Sequence, residues 1–360
     1  MVVRVTVVGA GPGGCWVARR LVEAGHEVSL VVPPERRLER VDVGPLEVLV
    51  GEGPGGGAVY SMGNLEFHGP GRLEGAFRSV TEDISTPVSE TPDWVLSGLD
   101  LEVEGAAAEV AERRGLRVSR TFKAVDFGSC DGCGRCLECP RGAKWDPWVE
   151  VPERVDVVEG RAVSVDPDGV VVLEDGDVVG GDRLVLAAGA FGSHDLLRGA
   201  GLVGDSGFFV DPYVHVVSDA RWEPSIQMGW KLVGDGFNVY PHATSGARGR
   251  YCLMVKVADG VSGSVASRRK PLEGETVRRI AEGVAVAVEV LREAGLGVEG
   301  VVGPAAAHPG GSLASFVEGF RVPSANVWVS DSSVLDRAPG APPIGWILAV
   351  AEEVSRAVGR

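Results

Sequence analysis

The feature that most constrains the fold is a glycine-rich turn set between a strand and a helix at the N-terminus. Residues 2–8 form a continuous apolar run of strand length, and residues 9–14 follow at once with the pattern G-x-G-x-x-G. Residues 15–24 have a helical pattern, and residues 27–32 have the pattern of a second strand. A strand, a glycine turn, a helix and a strand within about thirty residues predict the βαβ unit of a dinucleotide-binding fold.

The glycine turn is also the first candidate ligand site. Glycine lets the backbone approach a pyrophosphate, whose charge then meets the amide groups of a helix N-terminus. The alternative is a tight turn that packs well and binds nothing. An acidic residue that holds the ribose should end the second strand, but that position is Val32, so ribose recognition is either displaced to Glu35 or absent. The predicted nucleotide-binding residues of this region are Gly9, Gly11, Pro12, Gly13, Gly14 and Glu35.

The rest of the chain has the pattern of many strands and a few helices. Strand patterns fill residues 155–189, and alternating residues with Gly, Asp and Pro breaks predict an antiparallel sheet over 213–257. Helices are predicted over 101–114, over 344–358 and in an amphipathic segment that ends before Gly295. We therefore expect an α/β fold (α+β overall), with a Rossmann-like βαβ domain and a smaller antiparallel-sheet domain over the substrate. The predicted apolar face of the amphipathic helix consists of Val277, Ile280, Val284, Val288 and Leu291.

Charge and hydropathy exclude several classes of function. The formal net charge of −15 at pH 7 argues against nonspecific nucleic-acid binding, because that binding neutralises phosphates with Lys and Arg. No apolar run reaches the roughly eighteen residues that a membrane-spanning helix needs. The N-terminus has neither the basic region nor the cleavage site of a secretory signal. We therefore expect a cytoplasmic protein with no nucleic-acid or membrane partner.

Four of the six cysteines lie within ten residues of one another. Cys130, Cys133, Cys136 and Cys139 are separated by consecutive C-x-x-C intervals, and Pro140 follows. Structural zinc usually takes two C-x-x-C pairs that are about a dozen or more residues apart, because four thiolates must surround one ion. An iron–sulfur cluster offers several metal corners and suits sequential ligands better. The run predicts an iron–sulfur cluster, [4Fe–4S] in preference to [3Fe–4S], with zinc or a redox or structural role as alternatives.

Several segments, in the right order, resemble the glucose–methanol–choline (GMC) family of FAD-dependent oxidoreductases. Residues 55–64 (GGGAVYSMGN) are similar to the second glycine segment of that family, and residues 189–202 are similar to its GA-x-x-S-x-x-LL signature. The C-terminal part is the most similar. It contains AHPGG at 307–311, NVWVSD at 326–331 and PGAPP at 339–343, followed by a helix.

The resemblance implies FAD as the cofactor and assigns roles to particular residues. In the family these segments supply a catalytic His, an Asp beside the flavin ribityl and pyrophosphate, and a helix N-terminus aimed at the flavin ring. Those roles correspond here to His308, to Asp331 and to the amides around Pro343 and Ile344. A helix N-terminus stabilises the negative charge of a reduced flavin, which gives the last role a physical basis. The other flavin contacts that the resemblance implies are Gly56, Gly57, Ser61, Asn64 and Gly189.

The chain departs from the family in two ways. It is short, so the part that covers the substrate, about 205–300, should be reduced. The family usually has a second His or Asn where this chain has Pro342, which leaves His308 as the lone candidate base there. His242, in the antiparallel sheet, is the second catalytic candidate, and its alternative is a strand residue that faces solvent. Some GMC relatives carry a cysteine run followed by G-A-K, as residues 142–146 (GAKWD) do here, and sugar-dehydrogenase subunits are reported to hold a cluster there.

These features predict a GMC-like FAD-dependent dehydrogenase. It would oxidise an alcohol or sugar and pass electrons through the cluster to a one-electron carrier such as ferredoxin. The alternatives are an electron-transfer flavoprotein subunit of a larger redox complex and an NAD-dependent Rossmann enzyme with structural zinc; a homo-oligomer or a partner subunit is compatible with the sequence. The expected domains are a discontinuous FAD-binding domain (1–75, 150–204 and 302–360), a helical and iron–sulfur-binding insertion (76–149) and a substrate domain (205–301).

Overall fold

The described part of the chain is residues 1–323 and 325–360 of a computed structural model, and it forms six α-helices and eighteen strands in five sheets. The helices are α1 (Pro12–Glu23), α2 (Glu74–Asp83), α3 (Gly98–Arg114), α4 (Gly189–Gly199), α5 (Gly274–Glu293) and α6 (Ile344–Val358). The strands are β1 (Arg4–Val8), β2 (Glu27–Val32), β3 (Arg37–Asp42), β4 (Glu47–Glu52), β5 (Val88–Glu90), β6 (Arg117–Arg120), β7 (Phe122–Ala124), β8 (Asp156–Glu159), β9 (Ala162–Val165), β10 (Val170–Leu173), β11 (Val178–Gly180), β12 (Arg183–Leu186), β13 (Tyr213–Arg221), β14 (Trp230–Val233), β15 (Phe237–Pro241), β16 (Arg250–Val257), β17 (Val298–Ala305) and β18 (Val327–Val329).

A five-stranded parallel sheet has the strand order β18-β12-β1-β2-β8. Its central strand β1 is buried over residues 5–8, and a continuous apolar run suits a strand that is covered on both faces. Helices α1 and α6 pack against each other, and Trp16 of α1 donates a 2.9 Å hydrogen bond to Glu352 of α6. Because the strands are parallel, the segments that follow β1, β12 and β18 emerge at one edge of the sheet, where ligands of open α/β sheets bind.

A six-stranded antiparallel sheet has the order β17-β13-β16-β15-β14-β6. Helices α3 and α5 cover one of its faces, and alternate residues of the strands form an apolar core with them. The residues between those positions point to the opposite face, and most of them are polar or ionisable. Within β13 to β16 this polar face includes Tyr213, His215, Lys231, Asn238, Tyr240, Met254 and Lys256.

The fold class predicted from the sequence is confirmed. The N-terminal βαβ unit, the antiparallel strands within 213–257 and the helix over 344–358 are all present. The antiparallel sheet also recruits β6 and β17 as its edge strands. Within the described residues, no helix is both long enough and apolar enough to cross a membrane.

Candidate active site

The glycine turn after β1 packs so closely that side chains are excluded at three of its positions. An ideal Cβ on Gly9 would lie 2.3 Å from the Ala187 carbonyl oxygen, and one on Gly13 would lie 1.7 Å from the Ser330 carbonyl oxygen. A Cβ on Gly14 would meet the Gly9 carbonyl oxygen at 1.8 Å. Gly11 is different, because no heavy atom of the described residues lies within 4 Å of its ideal Cβ. The turn is therefore closed towards the sheet and open at Gly11.

Helix α1 begins directly after this opening. Gly11 is its N-cap and Pro12 its first residue, and within the described chain no side chain caps the helix. The first amide groups of α1 are thus available to an anion at the helix N-terminus. This is the environment that the pyrophosphate of a dinucleotide requires.

The second glycine segment lies directly on the first. The Gly55 amide donates a 2.8 Å hydrogen bond to the Ala10 carbonyl, and an ideal Cβ on Gly56 would lie 2.8 Å from the Gly11 Cα. Gly57 packs beside strand β4, and residues 56–60 form a short 3₁₀ turn. The two glycine segments, far apart in sequence, therefore form one cradle.

Asp331 and Gly189 close the same edge of the sheet. The Asp331 carboxylate is 6% exposed and accepts hydrogen bonds from the Gly189 amide at 2.9 Å and the Ser333 amide at 2.8 Å. The hydroxyl groups of Ser193 and Ser333 also donate to it. The carboxylate therefore links the turn after β12 to the turn after β18. The neighbouring Ser330 hydroxyl is buried without a partner among the described residues.

Helix α6 begins in the same region. Pro343 is its N-cap and Ile344 its first residue, and no side chain in the described structure caps it. An ideal Cβ on Gly345 would lie 2.3 Å from the Glu66 carbonyl oxygen, so the segment after the second glycine run passes close to this helix end. A glycine cradle, two uncapped helix N-termini and an unpartnered Ser330 hydroxyl fit FAD, whose pyrophosphate and flavin ring both need donors.

Glu35, the candidate for the ribose, lies on the surface. Its side chain is 71% exposed and pairs with Arg37 at 2.8 Å. It follows the end of β2 by three residues, as the sequence shows. Its role in ribose binding stays a prediction.

His308 meets an acidic partner from a distant part of the chain. Its Nδ1 lies 3.5 Å from Oδ2 of Asp211, and 23% of the histidine side chain is exposed while Asp211 is fully buried. Burial and the nearby Lys256 ammonium hold the pKa of His308 well below its usual range. The imidazole is therefore neutral at pH 7 and can accept a proton.

A second set of ionisable residues lies at the other end of the polar face. The Lys231 ammonium pairs with Glu66 at 2.6 Å, and His68 lies 3.9 Å from the same carboxylate. The Tyr240 hydroxyl lies within electrostatic reach of both Glu66 and Asp211, and burial raises its pKa well above the usual value. Tyr240, His68 and one oxygen of Glu66 have no hydrogen-bond partner among the residues that the structure describes. Such unpartnered buried groups are typical of a ligand site.

His242, the second catalytic candidate, does not face open solvent. Its Nδ1 lies 3.0 Å from Nε2 of His215, so the two rings share a hydrogen bond. Burial lowers the pKa of His242 to about 4 and that of His215 to about 3, and both rings are neutral at pH 7. A neutral pair can relay a proton or simply stabilise the sheet.

The four clustered cysteines lie in one partly buried loop. The Gln227 amide donates to Cys136 Sγ at 3.3 Å, and the Lys144 amide donates to Cys139 Sγ at 3.3 Å. The Gly132 amide also approaches the Cys130 thiol. Donors of this kind stabilise anionic sulfur and are one of the means by which proteins adjust iron–sulfur clusters. Cys133, the fourth member, is half-buried in the same loop.

The partly buried Lys144 and the buried Lys123 both bind the second glycine segment. The Lys144 ammonium donates to the carbonyls of Val59, Ser61 and Leu137 at 2.7, 2.8 and 3.2 Å. The Lys123 ammonium binds Asn64 Oδ1 at 2.5 Å. Ser61 and Asn64, predicted as flavin contacts, are therefore tied to the segment that carries the cysteines.

Within residues 1–323 and 325–360, no three His, Cys, Asp or Glu side chains form a group that could hold a metal ion, and this includes the four clustered cysteines. A tetrahedral zinc ion would need sulfurs about 3.8 Å apart, given its Zn–S bonds of about 2.3 Å. Iron–sulfur binding at this loop is not confirmed and stays a prediction.

Sequence patterns did not identify Asp211, Lys256, Glu66 or Lys231 as site residues. The nearest signal was the alternation within 213–257, which places His215, Tyr240 and Lys256 at alternate positions of three strands. A sheet that only covers the core does not need Lys, His and Tyr side chains on a buried face. That face could have been recognised as the wall of a ligand site.

A surface cleft of about 470 Å³ lies elsewhere, among Arg4, Thr6, His26 and Asp156. It is at the amino ends of the parallel strands, opposite the glycine turns. Nucleotides bind open α/β sheets at the carboxyl ends, so this cleft is not the candidate site.

Comparison with known proteins supports the fold. No family model matches the chain. An uncharacterized protein of Methanocaldococcus jannaschii is 23% identical over 384 residues, with 98% of each chain covered. Pyridoxine 4-oxidase from Mesorbium loti has a similar structure, with a TM-score of 0.73 at 15% identity and 98% of each chain covered.

Two further solved structures are similar at comparable levels. A variant of formate oxidase from Aspergillus oryzae gives a TM-score of 0.69 at 13% identity, over 99% of this chain and 98% of that one. An FAD-dependent oxidoreductase from Chaetomium thermophilum gives 0.67 at 12% identity, over 98% of each chain. The chain therefore shares the fold of these oxidases and FAD-dependent oxidoreductases.

Proposed function

We propose that this protein is an FAD-dependent oxidoreductase that oxidises the CH–OH group of a small alcohol or sugar. The observation that carries the proposal is His308, a neutral and partly exposed imidazole on the fold of FAD-dependent enzymes. Oxidation of CH–OH to C=O releases one proton and one hydride. His308 would accept the hydroxyl proton as general base, and bound FAD would supply the hydride acceptor.

The residues that would hold FAD follow from the cradle. The uncapped N-terminus of α1 at Gly11 and Pro12 would receive the pyrophosphate. The uncapped N-terminus of α6 at Ile344 would offset negative charge on the flavin ring. Ser330 offers a buried hydroxyl that has no partner in the described structure. The glycines at 56 and 57 let the second segment lie against Gly11 and β4, where it would form the other side of the cradle.

The proposal extends to an iron–sulfur cluster, [4Fe–4S] in preference to [3Fe–4S], on the cysteines of the 76–149 segment. Its support is the set of amide donors to Cys136 and Cys139 and the nearby ammonium groups of Lys123 and Lys144. These donors would stabilise an anionic cluster, whereas burial raises the pKa of the Cys130 and Cys136 thiols and so favours their neutral form when no cluster is bound. A cluster beside a two-electron cofactor would pass electrons singly to a carrier such as ferredoxin.

Molecular oxygen is the second candidate acceptor. The similar structures include a pyridoxine 4-oxidase and a formate oxidase, and that likeness favours oxygen over a one-electron carrier. Substrate oxidation should be measured with oxygen as sole acceptor and, anaerobically, with ferricyanide. Faster turnover with ferricyanide supports the dehydrogenase, and stoichiometric peroxide formation supports the oxidase.

An anaerobic absorption spectrum with metal analysis tests the cofactors. A yellow-brown protein that releases FAD and contains three or four irons per chain supports the whole proposal. A protein that contains FAD but no iron would support the proposed oxidoreductase and contradict the proposed cluster. Zinc without flavin would overturn both.

The variant His308→Ala tests the catalytic base. We expect kcat to fall at least about 100-fold, because general-base catalysis contributes about 10²–10⁴, while FAD content stays at the wild-type level. His26→Ala is the matched control, since His26 lies at the opposite end of the parallel sheet. Wild-type kcat in His308→Ala would contradict the assignment. A wild-type protein that holds FAD and iron but oxidises no alcohol or sugar would instead be an electron-transfer subunit.

A further inference from the structure

We infer that Asp211 is the positioning residue of His308, because its carboxylate faces Nδ1 of the ring and leaves Nε2 as the proton acceptor. The inference rests on the proposed function, since it assigns how the proposed base is oriented. It also supplies a polar partner for His308 at a site where Pro342 offers none.

The two facing atoms have no other partner. His308 Nδ1 and Asp211 Oδ2 are buried, and neither forms a hydrogen bond with any described residue. They lie 3.5 Å apart. Contacts of catalytic groups are often long before substrate binds and shorten in the complex. A buried carboxylate oxygen left in this position costs free energy unless the ring can donate to it.

The backbone of Asp211 is held in an unusual conformation that aims the carboxylate. Its φ is +50°, in the left-handed region that Asp and Asn tolerate better than other residues with a side chain. The Gly340 amide donates to Asp211 Oδ1 at 2.9 Å. The Asp211 amide donates to Asp259 at 2.8 Å, and the Lys256 ammonium donates to the Asp211 carbonyl at 3.1 Å. One carboxylate oxygen is thus fixed, and the other is directed at His308.

The arrangement decides which nitrogen of His308 acts. When Asp211 is ionised, it accepts a hydrogen bond from Nδ1–H of the ring, and the lone pair of the imidazole then lies on Nε2. A substrate hydroxyl proton would move to Nε2, and the resulting imidazolium would face a carboxylate. Asp211 does not contact substrate in this scheme; it acts through the ring.

Titratable groups from several elements surround the pair. Lys256 lies on β16, Tyr240 lies on β15, and Asp259 pairs with Lys270 at 2.9 Å behind the Asp211 backbone. Burial raises the pKa of Asp211 to about 7, and Lys256 acts in the opposite direction. Asp211 therefore loses its proton near neutral pH, and its ionisation is linked to the neighbouring Lys256 ammonium.

The acid limb of the pH profile should depend on the ionisation of Asp211 and His308. Below the pKa of Asp211, its carboxyl group holds a proton and cannot accept a hydrogen bond from the ring, so kcat/KM should rise as pH increases through about 7. Without the carboxylate, only His308 titrates, and its depressed pKa moves the acid limb to lower pH. Without Lys256, both groups hold protons more tightly, and the acid limb moves to higher pH.

The variants Asp211→Asn and Lys256→Met test these opposite shifts in the FAD-loaded protein. Asn tolerates the same backbone conformation. The Gly340 amide should donate to the side-chain oxygen of the Asn, which turns the NH₂ group towards Nδ1 of His308. The NH₂ group then donates to Nδ1, so the ring proton moves to Nε2. We expect kcat to fall about tenfold or more in Asp211→Asn, with KM nearly unchanged. The acid limb should move down in this variant and up in Lys256→Met, each by about one pH unit. Asp100→Asn is the control, because Asp100 is equally buried but contacts Tyr251 on the opposite face of the sheet.

A readout that does not need turnover separates failure of this inference from failure of the proposed function. In protein with ¹⁵N-labelled histidine, the His308 signal is the one lost in His308→Gln. The expected result is an Nδ1–H tautomer in the wild type, the Nε2–H tautomer in Asp211→Asn, and an unchanged state in Asp100→Asn. The same tautomer and titration in wild type and Asp211→Asn would overturn the inference whether or not the protein oxidises an alcohol. If the tautomers are as expected but the protein oxidises no alcohol or sugar, only the proposed function is overturned.

Discussion

At the residue scale, the sequence identified the candidate base but not its surroundings. His308 stood out through a resemblance in the residues around it. Asp211 lies 97 positions earlier in the chain, as the numbering gives, and no local pattern connects the two. Their contact depends on the pairing of β13 with β16 and on the loop that contains Gly340. Such a contact is a property of topology, which periodicity does not encode.

The glycine turn gives a sharp prediction at this scale. Gly11→Ala should fold normally, because Gly11 has φ of −73° and no described heavy atom lies within 4 Å of its ideal Cβ. The free energy of unfolding of the FAD-free protein should change by less than about 0.5 kcal/mol. The methyl group would project into the opening where the pyrophosphate should lie. We expect FAD affinity, measured by fluorescence titration, to fall about tenfold or more.

A helix glycine provides the matched control. Gly105→Ala on α3 also adds a methyl group to open space, and it should stabilise the protein by about 0.5–1 kcal/mol without changing FAD affinity. Wild-type FAD affinity in Gly11→Ala would show that the opening is not the cofactor site. A large loss of stability in the FAD-free protein would show that the methyl group clashes with the protein itself.

At the element scale, strong local signals located the elements well. Helix α6 begins and ends at the residues that the sequence predicts, and the helix expected over 101–114 forms as α3 with Gly115 in the left-handed region at its end. Glycine caps and apolar periodicity are local, so a single sequence contains them.

The predicted buried face of α5 was partly wrong. Val277 is 50% exposed, whereas Val286 and Val290 are fully buried. The reason is Gly283, whose ideal Cβ would lie 2.3 Å from a methyl carbon of Val255 on β16. The helix approaches the sheet most closely at a residue with no side chain, and hydropathy gives such a position no weight. The contact surface is therefore rotated relative to the stripe of largest side chains.

A pair of equal truncations tests this rotated face. Val286→Ala should lower the free energy of unfolding by about 2 kcal/mol, because it removes buried methyl groups and leaves a cavity between α5 and the sheet. Val277→Ala removes the same atoms from an exposed position and should change it by less than about 0.5 kcal/mol. Thermal or guanidinium unfolding of the FAD-free variants gives both values. Equal losses of unfolding free energy in the two variants would support the buried face predicted from hydropathy.

At the scale of the whole molecule, the sequence predicted strands but not their partners. The strand patterns within 155–189 are present, yet β8 and β12 join the parallel sheet while β9, β10 and β11 form a separate one. The antiparallel sheet takes its edges from β6 and β17, which lie far apart in the chain. Pairing between distant strands depends on closure of the whole fold. That is why the alternation within 213–257 predicted strands but did not show which side chains of different strands share the polar face.

The whole molecule also brings the cysteine loop next to the candidate active site. Gln227 donates its amide to Cys136 and its side chain to the Gly134 carbonyl, while its side-chain oxygen accepts from the Ala243 amide beside His242. Lys144 connects the loop to the second glycine segment. If both cofactors bind as proposed, these contacts make the two sites neighbours in one hydrogen-bond network.

This proximity leads to a prediction that separates the two proposed half-reactions. Cys136→Ser should remove the iron but retain FAD, because the glycine cradle and the N-termini of α1 and α6 do not involve the thiol. Anaerobic loss of flavin absorbance on mixing with substrate should keep its wild-type rate within about twofold, since His308 and Asp211 are untouched. Steady-state reduction of ferredoxin should fall about tenfold or more, a barrier increase of about 1.4 kcal/mol. Cys252→Ser, at a cysteine outside the loop, should change neither rate. If Cys136→Ser loses its iron and still reduces ferredoxin at the wild-type rate, the electrons leave the active site by another route, and the cysteine loop serves the fold alone.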